Sequence, residues 1–318
     1  WISFEKAFFG CTNLGAVGHG DTSGVTSMAS MFEGASLADP DTSNWDTSSV
    51  TNMEAIFYNA SVAAPDTSGW DTSNVLNMGS MFVSAEAADP DTSNWDTSSA
   101  TNMAYMFFEA TAANPDTSSW NTSSVLDMSH MFQGASLADP AVSNWNTAQV
   151  LNMQSMFAST SAANPHVGGW NTESVTNMSN MFAHAYNANP DVSDWQTGNV
   201  QFMHWMFNSA YQANPHVSSW DTSSVENMKG MFNEATAANP DMSNWDFSNV
   251  SLFGDFLNGI DIGTENYSNF LMQVVQTNNQ TGLTLNGGSS QCNVAGAEAR
   301  AVLIGERDWI ISDGEPNI

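Results

Sequence analysis

The chain is 318 residues long and carries Lys+Arg 4 against Asp+Glu 33, a formal net charge of -29. Such a charge repels phosphate backbones and anionic bilayers, which excludes nucleic acid and membrane surfaces as partners, and it suits a salty or calcium-rich medium. No apolar run reaches the ~18 residues of a membrane span, and no stretch reads as a signal peptide, as expected for an internal fragment.

A Trp returns at one constant interval, at Trp45, Trp70, Trp95, Trp120, Trp145, Trp170, Trp195, Trp220 and Trp245. A fixed interval of this kind means one supersecondary unit stacked on copies of itself, a solenoid. In chain order the first turn is Trp1 to Val17, with Phe4, Ala7, Phe8 and Cys11 in slots that later copies fill with Met, Met, Phe and Ala. Beginning in mid-unit and without a cap, it reads as a piece of a longer chain. In the following copies Met78, Met81, Phe82 and Ala85, with Val75 before them, sit at i, i+3, i+4 and i+7 and predict a short helix with one buried face. Pro90 stops it, since Pro lacks the amide proton and biases the preceding residue toward extended geometry. A strand is expected over Asp91 to Trp95, with Ser93 and Trp95 inward and Thr92 and Asn94 outward by the strand's period of two. About eleven turns fill residues 1–260. Residues 261–318 lose the Trp and Pro rhythm and read as helix (Asn266 to Gln276), strand (Gly282 to Leu285), helix (Ala295 to Glu306) and strand (Asp308 to Ser312), an α/β cap for the open end.

The run Trp70-Asp71-Thr72-Ser73-Asn74-Val75-Leu76-Asn77-Met78, followed by Met81-Phe82 and Ala85, resembles the short Met-Phe repeat of BspA-like leucine-rich-repeat surface proteins. The first unit, Phe8-Phe9-Gly10-Cys11-Thr12-Asn13-Leu14, is similar to the sister repeat in which Cys closes the helix, and the tail with Trp309-Ile310-Ile311-Ser312-Asp313-Gly314 resembles the segment that ends such arrays. The resemblance implies a leucine-rich-repeat-like right-handed α/β solenoid, one short strand plus one short helix per turn. It also implies an extracellular, cell-surface location in a bacterial protein, and adhesion to a glycan or surface protein of another cell. The chain departs from that pattern in having Ala at positions 38, 63, 88 and 113 where a large apolar residue is usual, and an added Pro.

Four sets of side chains are candidates for chemistry. Asp41, Asp66, Asp91 and Asp116 occupy equivalent sites, so neighbours lie ~4.8 Å apart and repel. Calcium bridging adjacent turns is one reading, and an Asx-turn in which each Asp accepts its own backbone N–H two residues on is the other. Thr47, Thr72, Thr97, Thr122, Thr147, Thr172, Thr197 and Thr222 form a long column, and Thr42, Thr67, Thr92 and Thr117 a shorter one that turns to Val142, Val167, Val192, Val217 and Met242. Exposed on a flat face they would resemble an ice-binding surface; the alternative is structural, capping or pairing across turns. His184, Tyr186, Phe202, His204, Trp205, Tyr211 and His216 break the small polar pattern of the outer side and form the candidate ligand-binding cluster, with drift as the plainer reading because Tyr58, Tyr105 and Phe108 put aromatics elsewhere too. The Met columns read as flexible core filler. No nucleophile elbow, zinc helix motif or phosphate loop is present, so no enzymatic activity and no cofactor beyond calcium is expected. A ligand-binding module in a larger surface protein is the leading function; a structural spacer and an ice-binding module are the alternatives.

Overall fold

The computed structural model describes residues 2–15, 17, 20–314 and 316. Trp1, with which the first turn was expected to begin, lies outside them. The chain forms two compact units, Trp1–Pro165 and His166–Ile318.

Within each unit the repeated turns stack in register. In the first unit single-residue parallel bridges run Ser3, Ser27, Asn52, Asn77, Asn102, Asp127 and Asn152; in the second they run Asn177, Phe202, Asn227 and Leu252. No helix or multi-residue strand occurs among the described residues of the repeats. This corrects both elements expected per turn. The segment read as helix is a chain of β-turns whose backbone is shared between two partners. In the turn of Met78, the amides of Met78, Ser80, Phe82 and Ser84 donate to carbonyls of Asn102, Ala104, Met106 and Phe108 in the next turn, while those of Val83, Ala85 and Ala88 close turns onto the residue three before. A helix would spend all of these bonds on itself. The i, i+3, i+4, i+7 pattern still marks the core, because successive β-turns also return every third or fourth side chain to one side. Met78, Met81, Phe82 and Ala85 are fully buried.

Two residues of each such segment hold positive φ, one at the Ser80 position and one at the Ser84 position, and this geometry cannot be helical. Only Gly10, Gly34, Gly134, Gly230 and Gly259 meet the condition with glycine among the described residues of these two columns; every other turn places an L-residue there.

The expected strand Asp91 to Trp95 is likewise two turns. Ser93 donates its N–H to Asp91 Oδ1 at 3.1 Å, and Trp95 donates its N–H to Thr92 O at 3.1 Å. The second turn shifts the parity, so Thr92 and Trp95 point inward and Ser93 and Asn94 outward.

Aromatic ladders run through both cores. Trp45, Trp70, Trp95, Trp120 and Trp145 stack with centroids 5.9–6.3 Å apart and planes within 6°. Trp170, Trp195, Trp220 and Trp245 do the same in the second unit. Phe columns lie beside them, from Phe8 to Phe157 and from Phe182 to Phe256. These offset planes suit the ring quadrupole and leave the indole N–H at the edge, where it can reach a carbonyl.

After Ile260 the second unit changes character. Helix α1 (Thr264–Thr277), strand β1 (Thr284–Asn286), helix α2 (Val294–Arg307) and strand β2 (Ile310–Ser312) follow, with β1 and β2 parallel. All four stand within a few residues of their expected positions. Phe270 of α1 packs among Phe247, Phe253 and Phe256, Leu285 bridges Phe253, and Leu257 N–H donates to Asn286 O. The ladder edge of the last turn is therefore occupied. The segment is pinned by Asp313, whose side chain is 1% exposed; it accepts from Tyr267 Oη at 2.6 Å and from Arg300 Nε and Nη2 at 2.9–3.1 Å.

Candidate ligand-binding surface

The Thr columns face inward. Thr72, Thr92, Thr97 and Thr122 are 0–1% exposed, and each hydroxyl donates to a backbone carbonyl of the next turn: Thr92 to Asp116 O at 2.7 Å, Thr97 to Asn121 O at 3.0 Å. Their methyls pack and their hydroxyls stitch one turn to the next, so neither group is presented to solvent.

The short column also tunes the Trp ladder. The indoles of Trp95, Trp120 and Trp145 donate to Thr67, Thr92 and Thr117 carbonyls at 3.3–3.5 Å. Those of Trp195, Trp220 and Trp245 donate to Val167, Val192 and Val217 carbonyls at 2.9–3.0 Å. Trp70 Nε1 is buried with no partner among the described residues. Where the column is Thr, an inter-turn hydroxyl bond is gained and the indole bond lengthens; where it is Val, the reverse holds.

The Asp columns sit at the outer corner as Asx-turns. Asp66, Asp91 and Asp116 each accept both the N–H and the hydroxyl of the Ser two residues on, at 2.6–3.1 Å, and Asp41 accepts from Ser43 in the same way. The paired bonds from Ser93 and Ser118 hold the Asp91 and Asp116 carboxyls below their ordinary range. In the neighbouring column of Asp46, Asp71 and Asp96, Asn121, Asn146 and Asn171 make the same turn with an amide oxygen, so that corner needs an acceptor and not a charge; the Asp116 column itself turns to Ala141. Among the described residues no three His, Cys, Asp or Glu side chains converge as a metal site would require. Cys11 is an exposed and Cys292 a buried free thiol.

The seven cluster residues all lie in the second unit but not at one place. Tyr186 and Tyr211 hold equivalent positions in successive turns and stack at 5.2 Å and 12°, 43% and 42% exposed. His184 stands edge-on to Tyr186, and its Nε2 meets Asn208 Nδ2 at 3.2 Å. Asn208 begins an amide ladder in which Asn233 donates to Asn208 and Asn258 to Asn233. Phe202, His204 and Trp205 lie on the bridged side. Phe202 is edge-on to His204, whose Nδ1 is buried without a partner among the described residues and whose pKa burial lowers. Trp205 lies across the backbone of Gly230, so close that a Cβ there would stand 2.1 Å from its ring, and Lys229 Nζ sits 5.5 Å from the ring centroid. His216 is separate again, lining a shallow cleft with Asn189, Pro190, Asp191, Ser193 and Asn214. There the Ser193 bonds, with His216 nearby, hold the Asp191 carboxyl below its ordinary range.

The exposed aromatic part of the cluster is therefore the Tyr186–Tyr211 pair, with the half-buried His184 beside it; His216 is exposed but stands apart from them. Sequence reading missed Asn208 and Lys229, each of which stands one position short of a full repeat beyond its partner, His184 or Trp205. That offset is the signal for a neighbour in the next turn.

This architecture defines a tandem-repeat protein whose stacked turns bury the regularly repeated Trp, Phe, Met and Thr of the described residues. The chain belongs to the family described as Mycoplasma protein of unknown function, DUF285, whose model matches residues 2–120, 64–170, 106–218 and 152–270. Comparison with curated proteins gives no match. No helix among the described residues is long and apolar enough to cross a membrane.

Proposed function

We propose that the chain is the ligand-binding, adhesive module of a large bacterial surface protein, a right-handed solenoid of the BspA-like leucine-rich-repeat kind, recognising a glycan or protein on another cell. The observation that carries this reading is the exposed Tyr186–Tyr211 stack. Two flat, rigid amphipathic rings offer contact area at little entropic cost, and the column around them holds small residues such as Thr236. His184 and the Asn208 amide supply polar groups beside the rings. The ice-binding alternative loses its basis because the Thr hydroxyls are spent inside the stack.

The test is a glycan and surface-protein array probed with and without millimolar calcium, comparing the wild-type chain with Tyr186→Ala/Tyr211→Ala. A specific hit lost in the double variant supports the module. Binding that survives moves the site, and no binding under either condition leaves the structural spacer.

A further inference from the structure

A second aromatic site, in the first unit, has the chemistry of a cation receptor. Tyr105 and His130 occupy equivalent positions in successive turns and stack face to face at 4.3 Å and 12°, with Phe108 tilted beside both. His130 is fixed from its far side by Gln133, 2.5 Å from Nδ1. Since His130 covers one face of Tyr105, the other face points toward the preceding turn. There the equivalent position is Ser80, too small to fill it. Tyr105 is 38% exposed accordingly. Turns stack ~4.8 Å apart, so a flat group laid on the ring would take the layer that a larger side chain at Ser80 would fill.

The rim of this slot is acidic and amide-rich. Asp127 belongs to the turn of His130, on the covered side of the ring, where it helps burial raise the Tyr105 pKa; the acidic group of the open side is Glu54. Glu54 accepts from Asn77 Nδ2 at 3.1 Å, and Asn102 donates to Asn77 Oδ1 at 3.1 Å along the same row. Tyr105 and His130 also hold positive φ, 60° and 59°, an unfavourable backbone for bulky residues. Two aromatic rings thus occupy strained positions that neighbouring turns fill with Ser80 and Ser155.

We infer that the Tyr105 face binds an arginine side chain from a basic segment of a protein partner. The guanidinium is flat, stacks on aromatic faces, and offers several N–H donors to the Glu54 carboxylate, which reaches Asn77 of the preceding turn on the open side. Charge complementarity favours this occupant over an uncharged sugar, because the chain carries a net charge of -29 with only four basic side chains of its own. Arg300 is already paired with Asp313, and Lys229 lies over Trp205. This site is independent of the reading given to Tyr186 and Tyr211.

The experiment measures binding of a Gly/Ser-spaced peptide carrying several arginines, of its lysine counterpart and of its neutral citrulline counterpart, by calorimetry at low and physiological salt. Expected are binding in the order arginine, lysine, citrulline, and a loss of about 3- to 30-fold in Tyr105→Ala, the span of a cation–π contact from exposed to desolvated. Tyr105→Phe should retain binding, and Tyr105→Gly, which relieves the backbone, should lose it as Tyr105→Ala does with the fold intact. Equal binding of the arginine and lysine peptides, unmoved by either loss variant, would reduce the effect to diffuse attraction and overturn the site. A neutral hexose glycan that depends on Tyr105 while the arginine peptide does not would overturn the choice of ligand. The Tyr186→Ala/Tyr211→Ala variant should bind the arginine peptide as wild type does, whatever becomes of the adhesion reading.

Discussion

Replacing Ser30 with Gly should stabilise the protein, against the usual rule that Gly weakens regular structure. Ser30 has φ 55°, the first left-handed position of its turn, and its hydroxyl makes no hydrogen bond among the described residues. A left-handed backbone costs an L-residue roughly 1–2 kcal/mol, while Gly costs about 0.5–1 kcal/mol through its freer unfolded chain, so the net gain is about 0.5–1 kcal/mol. Ser80 and Ser155 share the position, with φ 59° and 54°, and lie two and three turns apart along the first unit. At such separations effects add, so the triple variant should gain about 1.5–3 kcal/mol. The converse is Gly134→Ala, where φ is 73° and a Cβ would meet Glu109 Cγ at 3.1 Å. It should cost about 1–2 kcal/mol. Urea unfolding followed by far-UV circular dichroism and by Trp fluorescence measures both, with coincidence of the two probes checking that one transition is observed. A triple variant that loses stability, or a Gly134→Ala variant that is neutral, would refute the assignment of left-handed geometry to these columns.

Three other outcomes follow from the same contacts. Thr97→Val should cost about 1 kcal/mol by removing the hydroxyl bond to Asn121 O, whereas Thr92→Val should cost less because the Trp120 indole can close on the Thr92-position carbonyl as it does at Val192; urea midpoints separate the two. Acid should destabilise the corners: the Asp46, Asp91, Asp116 and Asp221 carboxyls are held low by their Ser partners, so their contribution is complete above the unfolded carboxylate pKa near 3.8 and is lost as pH falls through the lower folded-state values. Asp91→Asn, which keeps the turn as Asn121 does, should flatten that part of the pH-dependence of the melting temperature. Arg300→Ala should cost about 3–5 kcal/mol by leaving the buried Asp313 carboxylate uncompensated, with hydrogen exchange rising first in α2 and β2.

Period, the apolar inward columns, the corner turns and the helices and strands of the tail were legible in the sequence because each is a local or strictly periodic signal. A Trp returning at constant spacing can only mean stacking, and Met, Met, Phe and Ala at their spacing can only be core. An acidic residue followed two positions on by Ser announces an Asx-turn, and the cap has ordinary helical amphipathicity over α1 and α2. The backbone between those marks was not legible. Successive β-turns and a helix put the same side chains on one face, and what separates them is where the amides of Ser80 and Phe82 donate, to the Ala104 and Met106 carbonyls of the next turn. Such partners exist only once the turns are stacked, so tertiary structure decided the left-handed positions, the parity that takes Thr92 inside in place of Ser93, and the conversion of an apparently exposed Thr ladder into an internal seam. The same holds for the candidate sites. Aromatic positions could be read along the chain, but whether two of them share a face, as Tyr186 and Tyr211 do and Tyr186 and Trp205 do not, depends on the register of the stack.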